Sequence, residues 1–396
     1  MATFVASRKR RKTAPAPAKP GVDRYIQLVV GALLAFGVVA VYSAVSFLAE
    51  TKAGGDPDRL LLRHLVRVGL AVGAMWVVAR IDYRRLARWS LPLLMGSLGL
   101  LLVVQVAGVA FGGATRWLRI GSVVFQPSEL AELALLLHVA VLLTRKQAYI
   151  TSFDRGFLPL LFWILVTAVL IGIENLSTAA LLTAGTLLMC FVGRVRVLHL
   201  GGLAATGVVL AVLLLLSSPQ RAARIEAFWG VKLFPHTQAE EVFDPQGEGY
   251  QARQARIALA MGGLTGVGPG KSVQRDFLPA PYNDFIFAIV AEEYGFIGAL
   301  GLLAALAVLL LRGFLRIARH APDPLGFFLA FGATTLLVLQ GWVHAAVNCG
   351  LLPVTGLPFP FVSYGGSSLV ANGVLAGLLL SVSRRIVLQT EKGEVG

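Results

Sequence analysis

The sequence predicts an all-α, polytopic integral membrane protein of about ten transmembrane helices, with one large extracytoplasmic loop between the seventh and eighth. Three observations predict it. The 396 residues are 56% hydrophobic and only 14% charged, with a mean hydropathy of +0.75, and soluble domains carry more charge than this. The apolar residues are gathered into runs long enough to cross a bilayer. The basic residues are concentrated in every other connection between those runs.

The runs fall at about 25–48, 62–79, 90–111, 128–144, 157–173, 178–193, 197–217, 284–311, 326–348 and 367–383. The second is the weakest, because Arg63, His64 and Arg67 load its first half. Only helices and closed barrels satisfy the backbone in lipid, and runs of this length without period-2 alternation are helices. Residues 1–22, with Arg8 to Lys12 and an Ala-Pro-Ala-Pro stretch, read as a disordered basic cytoplasmic tail. The first apolar run is too long for a signal peptide and lacks a small-residue cleavage site, so it reads as a retained span. Residues 23–386 form the membrane domain, and 387–396 a cytoplasmic C-terminal tail.

The net charge of +14 would suit a nucleic-acid partner, but its distribution argues against one. Arginines and lysines cluster at 8–12, 80–88, 145–146, 194–196, 312–319 and 384–385. This is a topology signal that puts both termini in the cytoplasm. The two cysteines, Cys190 and Cys349, suggest neither a disulfide framework nor a metal site.

Most connections are short. The exception, 218–283, is much longer than usual, and long loops on a rigid scaffold often carry function. It opens on Arg221 and Arg224, passes an amphipathic stretch around Phe228 and Trp229 and an acidic turn (Glu240, Glu241, Asp244), and then has a helix pattern from Gly249 to Met261 bearing Arg253 and Arg256. A glycine-rich loop, Gly262 to Ser272, follows. Two other outward connections, 112–127 and 349–366, are polar or glycine-rich.

Asp284 opens the eighth run, and Glu292 and Glu293 lie inside it. Charges in such a run are costly and mark functional sites. By position Asp284 suits a helix N-cap; chemically it suits a general base at the outer face, its pKa raised by partial desolvation. Glu292 and Glu293 lie about 12 Å further along at ~1.5 Å per residue, with Glu292 nearer the Asp284 face; pairing with an arginine or a backbone donor is at least as good a role as chemistry. Gln126-Pro127-Ser128-Glu129 opens the fourth run with helix-start residues. Glu129 and Glu132 share a face there, which calls for a cation between them, Arg116 or Arg119. The loop Gly266 to Ser272 imitates a phosphate loop but has Thr265 where a Walker A motif needs glycine. Its amides and Lys271 could still hold a pyrophosphate. Residues 350–368, with three prolines and four glycines, cannot form a regular helix and must be buried in protein or line a polar cavity. Ser363 and Ser367 are pocket candidates there.

The string from Leu352 to Ser368, Leu-Pro-Val-Thr-Gly-Leu-Pro-Phe-Pro-Phe-Val-Ser-Tyr-Gly-Gly-Ser-Ser, resembles the signature of the SEDS proteins (shape, elongation, division and sporulation). Gln126-Pro-Ser-Glu129, Gly113-Ala-Thr-Arg-Trp117, Asn283-Asp-Phe-Ile-Phe-Ala288 and Glu292-Glu-Tyr-Gly295 also look like family motifs, in the family's order along nearly the whole chain. Gly268 to Pro279 and Glu174-Asn-Leu-Ser-Thr178 look more like the FtsW division branch than the RodA elongation branch. The resemblance implies a ten-helix, inverting peptidoglycan glycosyltransferase that polymerises lipid II at the outer face of the bacterial cytoplasmic membrane, at the division septum. It implies a class B penicillin-binding protein as transpeptidase partner, alongside other membrane proteins of the division machinery. The family's essential aspartate falls on Asp284, and its acidic residue before Leu-Pro, usually glutamate, falls on Asp276. The family's lysine three residues after Gln-Pro-Ser-Glu is replaced by Glu132, so its Glu–Lys pair does not carry over.

On this reading Asp284 takes the proton of the acceptor hydroxyl, and cations among Arg116, Arg253, Arg256 and Lys271 stabilise the departing pyrophosphate. Gln126, Glu129, Asp276, Ser363 and Ser367 complete the substrate-binding set. The sequence identifies no cofactor; a divalent cation could assist the leaving group, and no ligand set for one is legible. A lipid II flippase, an elongation-type polymerase and a weakly active division scaffold are the competing readings.

Overall fold

The computed structural model describes residues 22–51, 57–111, 114–121, 123–231 and 248–393. The tail before residue 22 and the acidic turn at Glu240, Glu241 and Asp244 lie outside the described residues. The helices are α1 (Arg24–Thr51), α2 (Pro57–Arg80), α3 (Tyr83–Arg88), α4 (Ser90–Ala107), α5 (Pro127–Arg145), α6 (Leu158–Glu174), α7 (Leu176–Val192), α8 (Val197–Leu216), α9 (Pro219–Trp229), α10 (Glu248–Gly262), α11 (Ile286–Leu311), α12 (Pro324–Asn348) and α13 (Ser367–Gly393). Among the described residues nine segments are long and apolar enough to span a membrane, and the shorter apolar helix Leu176–Val192 makes a tenth. The expected fold class therefore holds.

The helices α5, α12 and α13 are the most enclosed and form the centre of the bundle. The helix α13 packs along α2, where Gly373 and Gly377 meet the backbone of Ala71 and Met75; a Cβ at Gly377 would come 2.8 Å from the Met75 carbonyl. Small residues let spanning helices approach this closely. The polar load of α2 has a place too. His64 stacks on Tyr364 at 5.3 Å and the Arg67 guanidinium lies 4.6 Å over the same ring, so both face the protein.

Three features differ from the sequence expectation. The third span ends at Ala107 rather than 111, and residues 109–125, expected as the end of that span and an outward connection, form a three-stranded antiparallel ribbon of β1 (Val109–Phe111), β2 (Ala114–Ile120) and β3 (Val123–Phe125). The strands are too short for their alternation to stand out beside the neighbouring spans. The eighth span begins at Ile286, two residues after Asp284, and is broken at Gly295 (φ 66°). Helix α13 continues to Gly393, so 387–393 are helical rather than a separate tail.

The break in α11 is filled by the glycine-rich loop. The amides of Val267 and Gly268 donate to the carbonyls of Glu292 and Glu293, and those of Phe296 and Ile297 donate back to Gly263 and Leu264, at 2.9–3.2 Å. Two of the four backbone pairs put Glu292 and Glu293 themselves at the junction, so helix and loop are one unit. Gly262, Gly266 and Gly295 lack room for a Cβ, each abutting the backbone across this junction.

One end of the bundle is closed by three aspartates. Asp23 accepts from the amide of Ile26 at 3.1 Å and pairs with Arg312 at 2.5 Å. Asp82 accepts from the amide of Arg84 at 3.0 Å and pairs with Arg385. Asp323 accepts from the amide of Gly326 at 2.7 Å, from Arg84 Nε at 2.7 Å and from the Tyr83 hydroxyl at 3.0 Å. Each aspartate caps a helix start and ties it to an arginine elsewhere in the chain.

Candidate active site

The opposite end is assembled from the ribbon, the α6–α7 turn, α9, the turn 280–285 and the proline-rich loop 349–366. Asp284 lies in the 280–285 turn, its amide bonded to the carbonyl of Ala280 at 3.2 Å. Side chains from α12 and the proline-rich loop fix this turn. Fully buried Asn348 donates to the carbonyl of Asp284 at 3.2 Å, and its Oδ1 accepts from the amide of Ala288 at 3.0 Å. The Ser363 hydroxyl donates to the carbonyl of Asn283 at 2.8 Å and accepts from the amide of Phe359 at 2.7 Å. The amide of Tyr364 donates to the carbonyl of Tyr282 at 2.9 Å. The loop is in turn held by His344 at the Leu357 carbonyl (2.7 Å) and Gln340 at that of Pro358 (2.9 Å). The non-helical backbone thus finds its partners inside the protein, as it must at membrane depth.

All these bonds hold the backbone around Asp284, and none holds its carboxylate. Oδ1 is buried without a hydrogen-bond partner among the described residues. Helix α11 is capped by Phe285 with no side-chain bond, so Asp284 is not an N-cap. Burial raises its pKa to about 6, although the Arg116 and Arg224 guanidinium groups oppose that shift. A carboxyl of that pKa is matched to base catalysis near neutral pH. Gly356 presents its bare Cα here; a Cβ would stand 4.0 Å from Asp284 Oδ2.

Beside Asp284 lies a cleft of about 80 Å³ lined by Arg116, Glu174, Asn175, Ser177, Arg221, Arg224 and Thr355, with apolar side chains between them. Burial lowers the pKa of Arg116, as do Arg224 and Arg221, while Asp284 and Glu174 raise it. Arg116 Nε and both Glu174 carboxylate oxygens are buried without hydrogen-bond partners among the described residues. Arg221 donates to the carbonyl of Ile173, and burial followed by Arg224 lowers its pKa.

The expected site residues divide accordingly. Arg116 joins Asp284, but it is not the cation between Glu129 and Glu132. Glu129 has Glu132 as its charged neighbour and no arginine acts on either carboxyl, so the shared-cation expectation fails; the ribbon turns Arg116 towards Asp284 instead. Gln126 and Ser367 belong to that second cluster, where the amide of Gln126 donates to Ser367 Oγ at 3.1 Å. Ser363 is a brace. Arg253, Arg256 and Lys271 are exposed and none lines the cleft; the Arg256 stem covers Gly350, where a Cβ would meet its Cδ at 2.9 Å. Asp276 pairs with Arg275 at 3.4 Å. The loop amides expected to cradle a pyrophosphate are taken by α11, and those of Val273 (2.9 Å) and Gln274 (3.3 Å) by the Glu292 carboxylate. Glu292 therefore latches the loop rather than facing Asp284, and Glu293 accepts from the Ser43 hydroxyl at 2.5 Å.

The sequence reading missed Glu174 and Asn348 and gave Arg221 and Arg224 no role. Asn348 carries no signal, being one amide near a helix end. Arg221 and Arg224 had one in their i,i+3 spacing just after a span, which puts both on one helix face.

Residues 23–387 match the FtsW/RodA/SpoVE family profile, described as cell cycle protein. The probable peptidoglycan glycosyltransferase FtsW of Geobacter metallireducens is 39% identical over 372 residues, 92% of this chain and 96% of the relative. Stage V sporulation protein E of Bacillus subtilis is 38% identical over 378 residues, 94% of this chain and 98% of the relative. Among solved structures, a chain from work on structural coordination of polymerization and crosslinking by a peptidoglycan synthase complex aligns with a TM-score of 0.73 and 29% identity, over 92% of this chain and 98% of that one. The rod shape determining protein RodA of Thermus thermophilus aligns at 0.67 and 28%, over 92% and 97%. With every spanning helix inside the matched region, the chain belongs to the FtsW/RodA/SpoVE family of cell cycle proteins.

Proposed function

We propose that the protein is a peptidoglycan glycosyltransferase that polymerises lipid II at the outer face of the bacterial cytoplasmic membrane during septal wall synthesis, with Asp284 as the catalytic base. The observation that carries this reading is the Asp284 carboxylate itself, fixed through its backbone yet unpartnered, beside a cleft walled by arginines. The name of the relative in Geobacter metallireducens, a probable peptidoglycan glycosyltransferase, supports the same activity. The acceptor sugar hydroxyl gives its proton to Asp284 as its oxygen bonds to the anomeric carbon of the donor. The bond from that carbon to the phosphate oxygen breaks, and the electron pair leaves with the lipid diphosphate. The anomeric configuration inverts in this single displacement.

A class B penicillin-binding protein is the transpeptidase partner on this reading, supported by the resemblance to a chain of a peptidoglycan synthase complex. Both termini are cytoplasmic and the site end faces outward, as the alternation of basic connections requires. Two measurements test these statements. Purified protein supplied with labelled lipid II yields glycan ladders; transbilayer movement of the lipid without ladders, or neither, overturns the reading. In intact cells carrying a Cys349→Ser background, which removes the exposed native thiol, a cysteine replacing exposed Leu264 reacts with an impermeant thiol reagent and one replacing Arg316 does not, whereas the reverse pattern inverts the topology.

A further inference from the structure

A helix start leaves amides without partners inside the helix, and an Asp, Asn, Ser or Thr just before it usually supplies an oxygen to one of them. Helix α11 is preceded by Asp284 and then by Phe285, which stands at the cap position with no side-chain bond. The missing oxygen comes from another helix. Asn348, fully buried at the end of α12, lays its Oδ1 on the amide of Ala288, the third residue of α11, at 3.0 Å. That is the bond a cap side chain makes, supplied here from 60 residues away. The Nδ2 of the same side chain donates to the carbonyls of Asp284 at 3.2 Å and His344 at 2.8 Å. These bonds use both N–H donors and the oxygen, and they fix which way the amide lies. Asn348 is also the last of three polar residues at i, i+4 and i+8 on one face of α12; the first two, Gln340 and His344, hold the carbonyls of Pro358 and Leu357. The face that grips the proline-rich loop thus ends on the backbone of the base.

We propose that Asn348 is a positioning residue for the base: it caps α11 in place of Asp284 and so leaves the Asp284 carboxylate bare while its main chain is held from both sides. This role rests on the glycosyltransferase reading and adds to it the device that keeps the base usable. A carboxylate that accepts amides at a helix start is stabilised as the anion by those bonds and by the helix dipole. It is then a weaker base, and its lone pairs are committed. Here the Asp284 amide is held at Ala280 (3.2 Å) and its carbonyl at Asn348, whereas Oδ1 has no hydrogen-bond partner among the described residues. The charged groups that act on the carboxylate are Arg116 from β2 and Arg224 from α9, and Tyr282 in the same turn feels its charge. Helix α12 brings the neutral Asn348 amide rather than a charge. Asparagine suits this post because one rigid plane carries donor and acceptor, with no charge to oppose the base. Loss of Asn348 leaves the Ala288 amide only the carbonyl of Phe285, at 3.0 Å, and Asp284, one turn before it, is the acceptor the sequence supplies for the vacated cap.

The test follows the protonation of Asp284 without substrate. Dicyclohexylcarbodiimide attacks protonated carboxyls in apolar surroundings, and mass spectrometry of the full-length protein in nanodiscs reads its adduct at Asp284 from about pH 4 to about pH 8. The wild type loses labelling with a midpoint at about pH 6. Asn348→Leu, of similar volume, removes the cap; Asp284 takes it, and the midpoint falls by about one pH unit or more, the worth of a charge-assisted hydrogen bond. Asn348→Asp keeps an oxygen on Ala288 and leaves the midpoint at or above that of the wild type. Asp323→Ala, destabilised at the far end, leaves it in place. Polymerisation of lipid II is scored in parallel. The acid limb of log(kcat/KM) moves with the labelling, and above it Asn348→Leu loses about tenfold to about a hundredfold. An unmoved midpoint in folded Asn348→Leu, or an equal fall in Asn348→Asp, overturns the positioning role; the second result would assign the change to water entering the turn. A wild type labelled only below about pH 4 holds a capped or paired carboxylate and overturns it without any variant. Labelling that shifts as stated in a protein that makes no glycan ladders refutes the glycosyltransferase reading and leaves the cap standing. Ladders from both folded variants at the wild-type rate, with unmoved midpoints, do the opposite.

Discussion

The two ends of the bundle use the same residue types in opposite ways. At one end Asp23, Asp82 and Asp323 each cap a helix and each meet an arginine from a distant part of the chain. At the other, Asp284, Glu174 and Arg116 are drawn together, yet Asp284 Oδ1, both Glu174 oxygens and Arg116 Nε find no hydrogen bond among the described residues. Buried polar groups are nearly always bonded. The first end is what satisfied charges look like in this chain, so the second reads as a place kept ready for something that arrives. The difference separates charges that hold the fold from charges that act.

The strongest way to break the comparison is to neutralise Asp284. Asp284→Asn keeps the turn, since Asn348 and Ser363 grip its backbone rather than its carboxylate. Polymerisation of lipid II falls by roughly two to four orders of magnitude, the usual worth of general acid–base catalysis, with no loss of melting temperature. Near-normal glycan synthesis by the folded variant would reduce Asp284 to a spectator.

Next in size is the junction that aims the site. Gly295→Ala puts a side chain on a residue at φ 66° against the backbone of Leu264 and Gly266, where an L residue is strained and clashes. The variant loses about 3 kcal/mol or more, by analogy with overpacked and strained positions, seen as a lowered melting temperature and proteolysis within 262–274. A stable, active Gly295→Ala protein would mean that the break in α11 does not position the site.

The spans, their order and the basic alternation were legible because lipid imposes length and charge rules that a single sequence displays. Asp284 was legible because a carboxylate at the mouth of an apolar run is costly. The partners of these residues were not. Whether Arg116 meets Glu129 or Asp284 depends on which way a short ribbon turns. Whether Glu292 faces the site or the glycine loop depends on a break at Gly295 that helical periodicity does not register. The amides of the glycine loop looked free in sequence and are consumed by α11, and Glu174 looked like the end of a span and stands in the cleft. Tertiary contact decided each of these, and residue spacing does not carry that information.

At the satisfied end the expected effect is smaller and of the other kind. Asp323→Ala removes a cap, an ion pair and the partner of the Tyr83 hydroxyl together. The cap is worth about 1 kcal/mol, and the half-exposed pair with Arg84 at most about 1 more. Melting temperature therefore drops by a few degrees, while polymerisation per folded molecule stays within about twofold. A large loss of activity without loss of stability would place function at this end too and erase the distinction.

The finest test asks whether the site carboxylate costs stability where the capping ones supply it. The folded protein holds Asp284 at a pKa of about 6 against an ordinary 3.8, so between those values the folded state keeps a proton that the unfolded chain has released. Protonated, Asp284 carries no penalty, and as pH rises from about 4 to about 6 its ionisation is disfavoured and the fold loses stability by that amount. Two pKa units correspond to about 3 kcal/mol, and partial exposure of Asp284 reduces this to about 1–2 kcal/mol. Asp284→Asn does not titrate there. Its melting temperature therefore matches the wild type near pH 4 and exceeds it by several degrees above pH 6, whereas log(kcat/KM) of the wild type climbs with unit slope to about pH 6 and then levels. Both curves turn on the same ionisation, in opposite senses: the charge that lowers stability is the one that switches on the base. A wild type that gains on the variant as pH rises would mean that Arg116 and Arg224 stabilise the carboxylate outright, and the two ends of the bundle would then be alike.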